Sequence, residues 1–168
     1  MKCVTHDLEV NTAKNNLAEW DPKLQKIHES KTSFVAIDLT ETLQKKTSES
    51  NVQNGQMTLQ VLHTTCILCV NELNEPMLLG DICRQMEGLV PADKKYLHNS
   101  DFRKVNVSGE TNADQNGAAH LKAFLVGNHT VTLLIRNRAL VLGVWQRIFL
   151  IDFDGPKLRK LVLQFLGV

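Results

Sequence analysis

Three histidines sit in segments whose polar neighbours give them chemical potential: His63 in VLHTTCILCVNE, His98 in YLHNSD and His120 in GAAHLKAF. A neutral imidazole can ligate Zn²⁺ or a similar ion and can act as a base near pH 7. Converging with a carboxylate, the three would suit a divalent metal. They lie 35 and 22 residues apart, so only the fold can gather them. Asn71-Glu72 and Asp114 add polar groups beside two of them, although Asn71 could simply cap a turn and Asp114 could be a solvated carboxylate. Trp145 could pack into the core with Gln146 facing the other way, or the two could line a pocket. Arg136, Arg138 and Arg147 have the chemistry of a phosphate clamp, but two of them stand at a turn, where solvated charge is ordinary. His6, His28 and His129 lack supporting context and read as surface or structural residues.

The cysteines do not extend this set. Cys66 and Cys69 have redox-like or zinc-like spacing but fall inside an apolar run, residues 57–70, that reads as one long strand. Residues three apart on a strand point to opposite faces, and no second cysteine pair completes a zinc site. With Cys3 and Cys83 they are expected to be reduced core or surface thiols. A phosphate-cradling glycine loop, a nucleophile elbow and a dinucleotide fingerprint are all missing, which removes the commonest enzyme classes.

Composition sets the frame for positioning these groups. The chain has 168 residues, 43% hydrophobic and 22% charged, enough to bury a real core in one domain. Its formal net charge of +1 gives no footprint for nucleic acid or an anionic membrane. The N-terminus MKCVTHDLEV lacks an apolar signal region, and no stretch is long and apolar enough to span a bilayer. A cytoplasmic protein is expected, in which the Asn106 and Asn128 glycosylation patterns carry no meaning.

Periodicity predicts strands over residues 2–10 and 34–37, then a helix over 39–50 opened by an Asp38…Glu41 capping box. The strand 57–70 follows a turn at Asn54-Gly55, and a helix capped by Asn74, with Pro76 in its first turn, runs to about residue 89. Residues 92–117 form a long polar connection, and 117–125 a short helix stopped by Gly127. Strands 130–135, 140–152 and 159–166 are predicted to form a meander. The class is α+β with a large, mostly antiparallel sheet in a single domain, residues 11–33 being an insertion.

Four ordered stretches, HTTCILCVNELNEP, LVPADKKYLHN, NADQNGAAHLKAFLVG and NRALVLGVWQRIFLIDFDGP, resemble the YjbQ-like family. The resemblance runs from about Phe34 to the C-terminus. It departs from the family's pattern at Asn99, where Asp is common, and at Val144, where Thr is usual. It implies one domain in which a large sheet wraps around helices, assembled as a homotrimer with a pocket at the subunit boundary. The matching motif positions are His63, Asn71, Glu72, His98, His120, Trp145 and Gln146.

Members of that family are described as secondary thiamine-phosphate synthases, and several look able to hold a metal. The resemblance therefore implies an enzyme joining an aminopyrimidine methyl diphosphate to a thiazole phosphate. On this reading His63, Glu72 and His120 are catalytic, while Asn71, Lys122, Trp145, Gln146 and Arg147 bind substrate. His63, His98, His120 and Asp114 would hold a divalent ion, Zn²⁺ or Mg²⁺. The alternatives are a metal-dependent hydrolase of a small substrate and a non-catalytic trimer that binds a metal or small ligand. In each the partner is a small molecule.

Overall fold

The computed structural model describes residues 1–13, 34–103 and 114–168. Two antiparallel sheets and three principal helices make up an α+β fold. The five-stranded sheet has the order β1 (Lys2–Asn11), β8 (Leu158–Gly167), β3 (Asn54–Val61), β5 (Thr130–Arg136), β6 (Ala139–Leu140). The three-stranded sheet has the order β2 (Val35–Asp38), β7 (Arg147–Asp152), β4 (Cys66–Asn71). The helices are α1 (Thr40–Glu49), α2 (Pro76–Leu89) and α3 (Gly117–Val126).

Two apolar cores hold the layers together. Alternate residues of the five-stranded sheet, Met57, Leu59, Leu161, Leu163 and Phe165 among them, pack on Ile37, Leu68, Ile148 and Leu150 of the three-stranded sheet and on Leu43 of α1. The opposite face of the three-stranded sheet, with Ala36, Ile67, Phe149 and Ile151, packs on Leu79 and Cys83 of α2 and Ala119 and Ala123 of α3. The smaller sheet is thus covered on both faces. That is why residues 148–151 are apolar without alternation.

Several expected elements divide differently. The run 57–70 is two strands in different sheets, β3 and β4, and His63 lies in the crossing between them. A continuous strand would have to serve two cores at once. The turn at His63, where Cys66 N–H donates to the His63 carbonyl at 3.3 Å, resolves that conflict. Likewise the expected meander is not formed. β5 and β6 make a hairpin, residues 143–146 turn, β7 joins the smaller sheet, and β8 returns to pair with β1 and β3. Gly143 to Pro156 is therefore a passage from one sheet to the other rather than half of a hairpin.

The helix caps also shift. Leu39 is the N-cap of α1; Asp38 Oδ1 still accepts the Thr40 N–H at 2.8 Å, but Glu41 is 93% exposed and makes no box. Glu75, not Asn74, caps α2, its carboxylate accepting the N–H groups of Met77 and Leu78 at 2.9 and 2.6 Å with Pro76 at the first helical position. Gly127 ends α3 at φ 68°, as expected. Cys66 faces the first core and Cys69 packs against the second, the opposite placement predicted for residues three apart. Of the expected insertion, Asn11 still belongs to β1, where it pairs with Leu158, and Thr12 is fully buried; residues 14–33 lie outside the described residues.

Candidate functional site

Asp152 and Arg159 organise the first end of the small sheet. Both lie on inward-facing positions, Asp152 as the last residue of β7 and Arg159 near the start of β8, so their contact ties the two sheets together. Arg159 donates through Nε at 2.7 Å to one carboxylate oxygen and through Nη2 at 2.6 Å to the other. The Thr12 hydroxyl and the Asp154 N–H also donate to Asp152, at 3.0 and 2.9 Å. Burial pushes the Asp152 carboxyl up, but these four donors outweigh it and hold its pKa below the ordinary carboxylate value.

His63 stands beside this pair. Its Nε2 accepts the backbone N–H of Lys160 at 2.9 Å. Desolvation, reinforced by the positive charges of Arg159 and Lys160, lowers its pKa against the smaller opposing effect of Asp152. The neighbouring Cys66 thiol is pushed up to about 12 by burial and by Asp152, which makes it a poor nucleophile and a poor metal ligand. Cys69 and Cys83 are likewise raised by burial, to about 11 and about 12.

His98 and His120 form the second group. A 3₁₀ turn, Leu97–Asn99, carries His98, and α3 carries His120; their ring centroids are 4.6 Å apart at an interplanar angle of 56°. Gly117 allows this approach, because a Cβ there would stand 2.9 Å from Asn99 Oδ1 and Tyr96 Cβ and 3.1 Å from His98 Cβ. Asn99 Oδ1 accepts the Gly117 N–H at 2.9 Å, so the carboxamide fastens the turn to the helix. Lys122, only 3% exposed, donates to Glu87 Oε2 at 2.9 Å, and Glu87 Oε1 accepts the Ala92 N–H at 2.8 Å. In this arrangement Lys122 anchors the loop that leads to His98.

Asp114 and Asn116 connect the two groups. Lys157 Nζ donates to Asp114 at 3.0 Å and to Asp154 at 2.8 Å, and Asn116 Nδ2 donates to the same Asp154 oxygen at 3.0 Å. The start of α3 is thereby pinned to the turn that leads into Arg159.

The remaining expected residues lie at the other end. Asn71 pairs with Arg147 across the β4–β7 ladder, whereas Cys66 pairs with Asp152. Five residue steps along β7 separate those pairs, roughly 17 Å of strand. Arg147 is engaged with Asp38 and lies 3.8 Å from Glu41. Asn71 Oδ1 accepts the Glu72 N–H at 2.8 Å, and Gln146 Oε1 accepts the Gly143 N–H at 2.8 Å, closing its own turn. Trp145 is 69% exposed on that turn and is not a core aromatic.

A single chain thus brings His98 to His120 and sets His63 beside Arg159, but holds Asn71, Trp145, Gln146 and Arg147 apart from His63. Among the described residues no group of three or more histidine, cysteine or carboxylate side chains could hold a metal ion. His98 and His120 supply two imidazoles, short of the three protein ligands typical of a catalytic zinc site. Sequence reasoning missed Asp152, Arg159, Thr12 and Thr65, whose hydroxyl lies 3.4 Å from Arg159 Nη2. The one available signal was a carboxylate embedded in the apolar run IFLIDF.

Two packed sheets, the smaller covered on both faces, with a cross-sheet ion pair and a histidine pair held by a glycine contact, define a class of small α+β domain. Residues 25–168 match the model of the family described as UPF0047 protein YjbQ-like, and the chain belongs to that family. A UPF0047 protein of Archaeoglobus fulgidus is 36% identical over 130 residues, covering 77% of this chain and 90% of that one. One from Methanothermobacter thermautotrophicus is 34% identical over 131 residues, covering 78% and 82%. Among solved structures, a YbjQ-like protein of unknown function from Sulfolobus solfataricus aligns with TM-score 0.74 and 26% identity over 99% of both chains. A hypothetical protein from Aeropyrum pernix aligns with TM-score 0.72 and 27% identity, over 98% of this chain and 99% of that one. No helix among the described residues is long and apolar enough to cross a membrane.

Proposed function

We propose that the protein is an enzyme for a small phosphorylated substrate whose active site is assembled between copies of the chain. One observation carries this reading: the motif residues fall at opposite ends of the six-residue strand β7. His63 sits by the Asp152 end, while Asn71, Trp145 and Arg147 sit by the other. A second copy in a closed ring can juxtapose the two ends, as a head-to-tail interface does in a cyclic oligomer. Exposed apolar side chains at Phe124, Leu125, Val144 and Trp145 suit such an interface better than open water. A homotrimer, as the family resemblance implies, is the proposed assembly.

The first reaction proposed is thiamine-phosphate synthesis, because the histidine and Trp-Gln motifs resemble those of proteins given that role. In it the C–O bond between the pyrimidine methylene and its diphosphate breaks, and the thiazole nitrogen forms the new C–N bond. Diphosphate leaves with the electron pair. Cationic and N–H groups aimed at the leaving oxygens would stabilise it; Lys160 and His63 at one end and Arg147 at the other are the available groups. No proton moves in this step, so Glu72, next to Asn71 in the chain, would serve as acid or base only in the hydrolytic alternative.

A divalent ion would add charge stabilisation of the leaving group when bound. His98 and His120 would offer it two nitrogens, and the further donor would come from the second copy. Nitrogen donors favour Zn²⁺ over Mg²⁺, so metal-assisted hydrolysis of a small phosphorylated compound is the second reading.

Purified protein incubated with the two thiamine precursors separates these readings. Thiamine phosphate formation that is lost in His63→Ala and His120→Ala supports the first. Absence of product, with Zn²⁺ raising the thermal midpoint of wild type but not of His120→Ala, rejects it in favour of the second. If neither product nor Zn²⁺-dependent stabilisation is seen, the catalytic readings fail and a non-catalytic ligand-binding trimer remains.

A further inference from the structure

The β3–β8 ladder ends on a side chain. Leu62 N–H donates to the Lys160 carbonyl at 2.9 Å. Beyond it, where a strand would offer its next backbone acceptor, His63 Nε2 takes the Lys160 N–H at 2.9 Å. A ring nitrogen that accepts a backbone N–H carries no proton itself, so the neutral imidazole must hold its proton on Nδ1. The His63 carbonyl is also engaged, by Cys66 N–H at 3.3 Å, so backbone and ring are both fixed.

The charges acting on His63 are of both signs, Arg159 and Lys160 positive and Asp152 negative. Asp152 is the acid facing His63, and its carboxylate oxygens already accept from Arg159, Thr12 and Asp154. Arg159 is buried and committed to that carboxylate, while Lys160, next along β8, is exposed. Thr64 is exposed as well, and His63 is half-buried, so a solute can reach this corner. A donor N–H on a fixed ring, in a corner where the exposed Lys160 charge is felt through space and the Asp152 charge is taken up by four donors, is complementary to an oxyanion. It is a poor match for a cation, and metal ligation through Nε2 would first require breaking the bond to Lys160.

We propose that His63 Nδ1–H and the Lys160 ammonium form an oxyanion-binding corner that holds a phosphate group of the substrate, with the Lys160 backbone amide fixing the tautomer. The Thr12–Asp152–Arg159 network is the positioning device that keeps β8 in place behind it. The choice of a phosphate rests on the reading of the protein as an enzyme for phosphorylated substrates. The tautomer does not, and it can be read with no substrate present.

Long-range ¹H–¹⁵N correlation spectra of the ¹⁵N-labelled full chain at pH 7.5 test the geometry directly. His63 is expected to show a protonated Nδ1 and an unprotonated Nε2. Titration with inorganic phosphate should then shift the His63 Nδ1 resonance saturably. Lys160→Ala keeps the backbone amide and hence the tautomer, and should weaken phosphate binding by about tenfold. His63→Gln places a side-chain oxygen where Nε2 stood, so it keeps the ladder bond and the thermal midpoint while losing the Nδ1 donor; it should also bind phosphate about tenfold more weakly. A proton on Nε2, or a mixture of tautomers, overturns the proposal, and so does undiminished phosphate binding by His63→Gln. Because none of these readouts needs turnover, a protein that makes no thiamine phosphate can still pass or fail them.

Discussion

Arg159 meets Asp152 with two nitrogens on two oxygens, at 2.7 and 2.6 Å, across the gap between the two sheets. Asp152 is fully buried and the Arg159 side chain is 6% exposed, so this is a desolvated pair at the rim of the inter-sheet core. Removing one partner strands the other charge in a poor solvent. Arg159→Ala should destabilise the fold by about 3–5 kcal/mol, measured by urea denaturation. A loss below about 1 kcal/mol, the range of an exposed pair, would show that solvent reaches the carboxylate.

The same carboxylate sets an acid limit. The folded state depresses the Asp152 pKa, so the unfolded chain takes up a proton at higher pH than the folded one. The stabilisation is therefore complete above the unfolded carboxylate value, about 3.9, and is lost as pH falls through the lower folded pKa. Asp152→Asn should be less stable than wild type at pH 7 and show a shallower fall in melting temperature below pH 4. Parallel curves for the two proteins would remove Asp152 from the acid response.

Gly117→Ala tests how the histidine pair is held. A new Cβ would stand 2.9 Å from Asn99 Oδ1 and Tyr96 Cβ. Overpacking of this kind costs about 1–3 kcal/mol, more than the gain of up to about 1 kcal/mol from replacing glycine within a helix. The variant should melt lower and lose the mutual ring-current shifts of His98 and His120. Unchanged shifts would mean that the 3₁₀ turn is held independently of α3.

The four cysteines should separate into two kinds. Cys3 is exposed, whereas Cys66, Cys69 and Cys83 have thiols raised to about 12, 11 and 12. A thiol-disulfide reagent at pH 7.5 should label Cys3 rapidly and the other three only after denaturation. Rapid labelling of Cys69 in the folded protein would reveal an opening of the second core.

Much of this architecture was legible in the sequence. Strands β1 and β2, the extents of all three helices and the Gly127 stop follow from periodicity and the glycine within a residue or two, whereas the N-caps expected at Asp38 and Asn74 fall instead at Leu39 and Glu75. The strand misreadings have a physical cause. The smaller sheet is buried on both faces, so its strands lose the alternation that marks a boundary, and residues 57–70 read as one strand where His63 turns the chain between sheets. The pairing of Asp152 with Arg159 was invisible for another reason: it depends on which sheet each strand joins. The histidine pair was readable only as two residues of suitable type, because the contact requires Gly117 to admit the 96–99 turn.

If the two ends of β7 meet in one site only between copies of the chain, mixed oligomers will show it. His63→Ala and Trp145→Ala chains, each inactive alone, would be coexpressed, purified together and assayed for thiamine phosphate. In a symmetric ring with random mixing, one site in about four draws an intact His63 from one copy and an intact Trp145 from the next. Recovery of about a quarter of wild-type activity is the predicted result. A mixture as inactive as its parents, beside an active wild type, would place both residues in a site built by one chain and contradict the account.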